Sequence, residues 1–336
     1  MNKQLPDNGA IEALNASILT SWTVILAHEL GVFRLLLKEP RTREQLSSSL
    51  GIADRSLFPL LAVCCALGFV TFSKGNYSPS RLTRSFLDPA SPYYAGPYLE
   101  LIAEAESDYS LSGLRNAIVS GRPCVLGERD LYQRFRNDMD FVERFTRCMH
   151  AQSAAPAIGW VSKVDLARYT HFLDIAGGSG IHSVAALRRW PGLTATLFEL
   201  PLVCSAAKQL LAGERLPTKV QMVSGDMWSD PYPPADVHFY SQVFHNWPIE
   251  KLEFLTDKSY HSLQRGGVII VHEVFLNALG TGPLSAAAMA MSMILWTAGQ
   301  QLSVRELKKI LSRAGFSHIT HKRTYGAWGV VSAKKS

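Results

Sequence analysis

Phe172-Leu-Asp-Ile-Ala-Gly-Gly-Ser-Gly180 is the stretch that decides the fold class. An apolar run carrying one carboxylate, Asp174, stops at a turn of small residues, and residues 181–189 then resume with helical spacing. The order is strand, tight turn, helix. Small residues let a ligand approach the main chain at the carboxyl edge of a sheet, and the helix N-terminus offers unpaired N–H groups there. Taken alone, such a loop suits a dinucleotide, a nucleoside, or tight packing with no ligand.

Downstream, apolar strand candidates at 195–198, 220–223, 237–240, 268–272, 319–322 and 328–332 alternate with amphipathic helical segments. Together with 172–175 they form the pattern of βαβ units. The expected fold class is α/β, a doubly wound, mostly parallel seven-stranded sheet preceded by a mainly helical domain. Too few residues part the last two strands for a crossover helix. They must pair antiparallel, so the sheet should end in one reversed strand.

Two acidic positions narrow the ligand. Glu199 ends the second strand about twenty residues beyond the loop, where a carboxylate can accept both hydroxyls of a ribose. The third glycine of the dinucleotide fingerprint is missing, since Ser183 stands there. Gly225-Asp-Met-Trp228 ends the next strand. An adenine wants an acceptor for its amino group and an apolar surface against its face, which Asp226 with Met227 or Trp228 can supply. On its own, Asp226 reads equally well as a helix cap.

Toward the N-terminus, Ile11, Leu14, Ile18, Leu19, Trp22, Ile25, Leu26 and Leu30 recur at steps of three and four, an amphipathic helix over about 10–37 whose broad apolar face needs a partner. Thr42-Arg-Glu-Gln45 is a capping box for a short helix stopped by Gly51. Asp54 can cap a further helix closed by Gly68, and residues 69–77 read as a hairpin. Residues 38–85 thus follow a winged-helix pattern, but the second helix is too apolar to read base edges, which favours packing over DNA. Mostly helical sequence continues to 160, with breaks at Gly121-Arg-Pro123 and near Pro156.

A chain of 336 residues with 47% hydrophobic and 18% charged residues can bury two cores. Its net charge of +6 is scattered, the densest runs being Lys308-Lys309 and Lys334-Lys335, so no nucleic-acid partner is expected. The five cysteines lack paired C-x-x-C spacing and no His/carboxylate spacing suggests a metal, so a reducing cytoplasm fits and no metal is expected. Residues 1–10 are polar, unlike a signal peptide, and no run approaches the ~20 apolar residues of a membrane span.

As an ordered series the motifs resemble the plant-type O-methyltransferase family, which includes the caffeate, acetylserotonin and bacterial phenazine methyltransferases. The glycine stretch 172–180, Phe198-Glu-Leu-Pro201, Gly225-Asp-Met227 and His245-Asn-Trp247 are similar to its motifs in turn. Ser120-Gly-Arg-Pro123 and Phe145-Thr-Arg-Cys-Met149 extend the likeness over nearly the whole chain. The resemblance implies S-adenosyl-L-methionine as cofactor, S-adenosyl-L-homocysteine as product, a small-molecule acceptor and a homodimer. It implies a winged-helix dimerisation domain at 1–110, connecting helices at 111–165 that contribute to the substrate pocket, and a catalytic domain at 166–336. The cofactor residues it implies are Asp174, Gly178, Gly180, Glu199, Leu200, Gly225, Asp226, Met227, Trp228, Ser241 and Trp247. Two positions depart. Ala176 replaces a loop glycine, which a methyl group allows if the backbone needs no positive φ. Ser241 stands where plant members place a lysine near the cofactor carboxylate.

A sulfonium methyl is already activated, so the enzyme must align a nucleophile, worth about 7–11 kcal/mol, and remove its proton, worth about 10²–10⁴-fold. His245 follows the fourth strand and matches the family's general base; Glu273, ending the fifth, matches a carboxylate that orients it. Gln301 occupies the second carboxylate position, and Asn246 stands where aspartate is common. An amide can hold an imidazole N–H but does not stabilise imidazolium as a charge would. Phe141, Met149, Asn246, Met289, Met293 and Trp296 fall where the family lines its acceptor pocket, which implies a flat acceptor; each also reads as core. His150, His182 and His272 receive no role. The leading expectation is O-methylation of a small aromatic or enolic metabolite in natural-product metabolism. The alternatives are transfer to carbon or nitrogen on the same fold, and a cofactor-binding regulator with its winged helix on DNA.

Overall fold

A computed structural model describes residues 8–125, 131–216 and 218–336. The chain divides into two compact units, Met1–Glu104 and Ala105–Ser336.

The first unit contains α1 (Gly9–Glu29), α2 (Val32–Lys38), α3 (Arg43–Leu50), α4 (Asp54–Ala66), β1 (Val70–Ser73), β2 (Asn76–Pro79), α5 (Arg81–Phe86) and α6 (Gly96–Glu104). The single first helix expected from periodicity is two helices, because Gly31 adopts a φ of +83° and turns the chain into α2. Thr42 and Gln45 close both halves of the capping box on α3. Asp54 does not cap α4: the N-cap is Ala53, and the Asp54 carboxylate instead accepts from Arg43 Nε at 2.5 Å. Phe33, Leu36, Leu46, Leu57 and Leu61 form the buried core of the unit. On α1, Ile11, Leu14, Ile18 and Leu19 stay exposed. By length and composition α1 could cross a membrane, contrary to the expectation of no such run: Ser, Thr and Asn interrupt the apolar sequence but leave it apolar enough on average.

The second unit continues with α7 (Leu111–Ser120), α8 (Leu131–Asn137), α9 (Met139–Val161), β3 (His171–Ile175), α10 (Ile181–Arg189), β4 (Thr194–Glu199), α11 (Pro201–Leu211) and β5 (Gln221–Ser224). There follow β6 (Val237–Ser241), α12 (Ile249–Ser262), β7 (Val268–Val274), α13 (Leu284–Trp296), α14 (Val304–Arg313), β8 (Phe316–Arg323) and β9 (Trp328–Lys335). The seven strands lie in the order β5-β4-β3-β6-β7-β9-β8. The first five are parallel. β9 runs antiparallel to both its neighbours, so the reversed strand lies inside the sheet, with its hairpin partner β8 at the edge. Alternate strand residues serve two apolar layers. Leu173, Tyr240, Ile269 and Val271 pack with Leu252, Leu255 and Leu307, while Phe172, Phe239 and Ile270 pack with Trp160, Ala186 and Leu187. α9 runs through Pro156 rather than breaking there. A proline in a helix interior costs about 3 kcal/mol, which burial of Phe141, Val142, Ala157 and Trp160 along one helix can offset. The chain reverses its winding between β3 and β6, and the carboxyl ends of these strands are where a ligand crevice forms.

Candidate active site

The glycine turn after β3 is strained where a glycine is missing. Ala176 has a φ of +53°, so the backbone does need the left-handed region, at a cost of about 1–2 kcal/mol for an L-residue. Gly178 and Gly180 follow at +57° and +74°, and Gly180 is the N-cap of α10. Gly177, passed over in the motif reading, is equally constrained: a Cβ there would stand 2.4 Å from the carboxyl carbon of Asp174. Asp174 is fully buried, accepts from Ser183 Oγ at 2.8 Å through Oδ2, and keeps Oδ1 without a hydrogen bond. Burial pushes its pKa up to about 7 against the pull of Ser183.

Glu199, half-buried at the end of β4, accepts from Gly178 N at 3.2 Å and from Leu200 N at 2.6 Å. Desolvation pushes it up to about 7, the two N–H groups oppose, and the charges of Asp174 and Asp226 add to the rise. Asp226 accepts from Trp228 N at 3.0 Å and pairs with Arg136 of α8 at 2.6 Å. At Gly225 a Cβ would meet the Phe198 ring at 2.3 Å, so only glycine lets the chain turn here. Trp228 and Trp247 meet edge to face at 4.7 Å, and Tyr132 of α8 stacks on Trp247 at 4.3 Å. Ser241 Oγ lies 3.2 Å from His272 Nδ1.

His245 sits in a single 3₁₀ turn, Phe244–Asn246, directly after β6. It is buried, with Nδ1 3.1 Å from Glu273 Oε2 on β7. The approach is too oblique to close a hydrogen bond, so both atoms are buried without one. Phe244 N donates to the other oxygen of Glu273 at 3.1 Å. Burial pushes Glu273 up to about 8, opposed by the backbone N–H groups of residues 243–245. Burial also holds His245 down to about 4, opposed by Gln301 and by the backbone of Gln242. Gln301 donates to the Val274 carbonyl and keeps a buried Oε1 without a hydrogen bond. A Cβ at Gly299 would lie 2.2 Å from the His245 carbonyl oxygen, so the turn that carries Gln301 packs directly on the turn that carries His245. Asn246 donates to the Gln242 carbonyl at 2.9 Å, which fixes that turn.

Among the expected pocket residues, Phe141 and Trp296 flank Phe145, at 5.5 and 6.0 Å between ring centroids. Phe135 of α8 joins them at 5.1 Å from Phe145. The Trp296 indole donates to Tyr109 Oη at 3.0 Å. Met293 is buried, whereas Met149 and Met289 are half-buried on α9 and α13. Tyr132, Phe135 and Arg136 were missed by the motif reading. Their spacing was the available signal, since steps of three and four put all three on one face of α8.

The sheet order, the glycine turn into α10 and the acids ending β4 and β5 define a class I methyltransferase fold. The O-methyltransferase domain family matches residues 113–317. The chain belongs to that family and is an enzyme that uses S-adenosylmethionine. It is similar to 3-hydroxy-5-methyl-1-naphthoate 3-O-methyltransferase of Streptomyces sahachiroi, with 26% identity covering 94% of this chain and 91% of the relative. It is also similar to L-tyrosine C(3)-methyltransferase of Streptomyces lavendulae, with 27% identity covering 92% and 88%. The crystal structure of human N-acetylserotonin methyltransferase in complex with S-adenosylmethionine has the same fold, with a TM-score of 0.89 and 24% identity over 100% of this chain and 99% of that one.

Proposed function

We propose that this enzyme methylates a hydroxyl of a small aromatic or enolic metabolite, with His245 as general base positioned by Glu273. The observation that carries this reading is the buried His245–Glu273 contact at 3.1 Å, at a turn joined through Trp247 and Tyr132 to the aromatic cluster of α8 and α9. The naphthoate relative, whose name records transfer to a ring hydroxyl, supports an acceptor of that kind.

The residues present suit the cofactor. The free Oδ1 of Asp174 is a buried acceptor lacking a donor, fitting an ammonium. Glu199 has lone pairs to spare for ribose hydroxyls, and Asp226 beside Met227 and Trp228 offers adenine an acceptor and an apolar face. Gly178, Gly180, Leu200 and Gly225 shape the walls. When bound, S-adenosylmethionine supplies a sulfonium methyl group. With Nδ1 turned to Glu273, Nε2 is the nitrogen left for an acceptor hydroxyl, and it must carry its lone pair to act as a base. That tautomer is held best when Glu273 is a carboxylate accepting from Nδ1–H. Gln301 adds no charge, so an acceptor with an acidic hydroxyl suits the site. Replacement of His245 by Ala tests the reading: turnover should collapse while cofactor binding persists, and full activity would sink the base role.

A second reading is transfer to a ring carbon beside a phenolate, motivated by Gln301 and by the name of the tyrosine relative. The same base would serve, and NMR of the transferred methyl group separates a methoxy product from a C-methyl one.

The exposed apolar row on α1 supports a homodimer. A bilayer would leave the Asn15 amide of the same helix facing lipid, so a second copy of the chain is the better cover. The proposed organisation is a dimerisation region over 1–110, connecting helices over 111–165 and a catalytic region over 166–336, in a cytoplasmic enzyme of secondary metabolism that binds neither nucleic acid nor membrane.

A further inference from the structure

S-adenosylmethionine ends in an amino-acid group, and a carboxylate taken out of water needs a positively charged or hydrogen-bonding partner. At the methionine end of this site, Ser241 stands in the lysine position and its hydroxyl faces His272. Among the described residues, no lysine or arginine is a source of the charges acting on Asp174, Glu199 or His150. His150 is the ionisable base that does reach the turn. It follows Met149 on α9, and its Nδ1 lies 3.1 Å from Ser179 Oγ, between Gly178 and Gly180. The next polar groups along α9, Gln152 and Ser153, are neutral: Gln152 accepts from Gln242 Nε2 at 3.0 Å, and Ser153 Oγ donates to Gln242 Oε1 at 3.5 Å. Arg147, one turn before His150, is exposed.

Given the cofactor site proposed above, we infer that His150, as an imidazolium ion, holds the cofactor carboxylate in place of a fixed cation. Burial holds the free imidazole below its ordinary pKa, and Glu214 pulls the other way. Glu214 is itself paired with Arg188 of α10, and the other titratable group bearing on His150 is His182 of the same helix. Burial thus biases His150 toward its neutral form before binding, and it takes up a proton as the carboxylate arrives. Its contribution to affinity is fully present below its free pKa and is lost as pH rises through the higher pKa of the complex. Asp174 and Glu199 act in the opposite sense, losing protons when the ligand binds, so the test rests on differences between variants.

Calorimetric titration of the full chain with S-adenosylhomocysteine and with 5′-methylthioadenosine, which lacks the amino-acid end, reads this directly in two buffers of different ionisation enthalpy. His150→Gln should weaken S-adenosylhomocysteine about tenfold or more at about pH 6.5. It should leave methylthioadenosine within about twofold and remove the part of the proton uptake that depends on the amino-acid end of the ligand. His150→Arg should restore the affinity and flatten this part of its pH dependence. Equal losses for both ligands, or unchanged affinity and proton uptake with S-adenosylhomocysteine, would overturn the inference. Failure of folded wild-type protein to bind either ligand would instead overturn the cofactor site itself, and this inference with it.

Discussion

Replacing Glu273 by Gln keeps the shape of the side chain and removes its ionisation, and the structure sets the sign of the response to pH. Burial raises the folded-state pKa to about 8 from an ordinary 4.5. Between those values the folded protein holds a proton that the unfolded chain has released. The wild-type contribution is then fully present below 4.5 and is lost as pH rises through about 8. At ~1.4 kcal/mol per pH unit the whole window is worth up to about 5 kcal/mol. Glu273→Gln, with nothing to ionise, should gain stability on the wild type by several kcal/mol between pH 5 and pH 9. Urea unfolding of both proteins at pH 5, 7 and 9 measures the gap. A gap that stays constant, or a variant that loses ground as pH rises, would show that the resting pair is a carboxylate facing an imidazolium, and the neutral-acid picture would fall. The same proton matters for catalysis: the base acts through ionised Glu273, so turnover should climb as pH rises and Glu273, pushed up to about 8 by burial, loses its proton.

Three other outcomes are expected. His245→Ala should lower turnover by about 10²–10⁴-fold while calorimetry finds S-adenosylhomocysteine affinity changed by less than about twofold. Ala176→Val should cost about 2 kcal/mol or more, because a β-branched side chain is placed at a φ of +53°. Ala176→Gly should be close to neutral, since relief of about 1–2 kcal/mol of strain is offset by chain entropy and a lost methyl contact; scanning calorimetry compares the two. Ile18→Asp on the exposed face of α1 should shift sedimentation at micromolar concentration from dimer to monomer, and a wild type that already sediments as a folded monomer would refute the dimer.

The fold was legible because periodicity and turn chemistry agree along the second half of the chain. Apolar runs become β3, β4, β6 and β7, and the glycine turn becomes the start of α10, with no competing local preference. Where the sequence misled, a tertiary term outweighed a local one. Pro156 marks a break by its missing N–H, yet the buried face of α9 carries the helix through it. Asp54 has the chemistry of a cap, but its ion pair with Arg43 occupies the carboxylate. A methyl group at position 176 suits the turn only where φ is negative, and the turn holds Ala176 at a φ of +53°. The site was legible as an ordered series of motifs, whereas contacts that depend on a helix lying over the series were not. Arg136 on Asp226, Tyr132 on Trp247 and His150 on Ser179 join elements far apart in the chain, and no spacing encodes those meetings.

Charge placement around the site leads to a last expectation. Asp174 and Glu199 are pushed up to about 7 and Glu273 to about 8, and among the described residues no lysine or arginine acts on any of the three. A buried acid without a counter-ion is destabilising, and such groups persist where a ligand repays them. S-adenosylmethionine carries a sulfonium and an ammonium against one carboxylate; the homocysteine product has lost the sulfonium charge. Acids part-ionised at neutral pH therefore favour the incoming cofactor over the outgoing product, and increasingly so as pH rises through about 7. Competitive binding of the two at pH 6 and pH 8 measures this, and a ratio that does not move with pH would sink it. Gln301 and Asn246 fit the same logic, because a carboxylate at either position would add another anion close to His245. Without it, His245 has Glu273 alone to stabilise the imidazolium it forms. The hydroxyl of the acceptor must then bring much of the acidity itself, as a phenol or an enol does and an aliphatic alcohol does not.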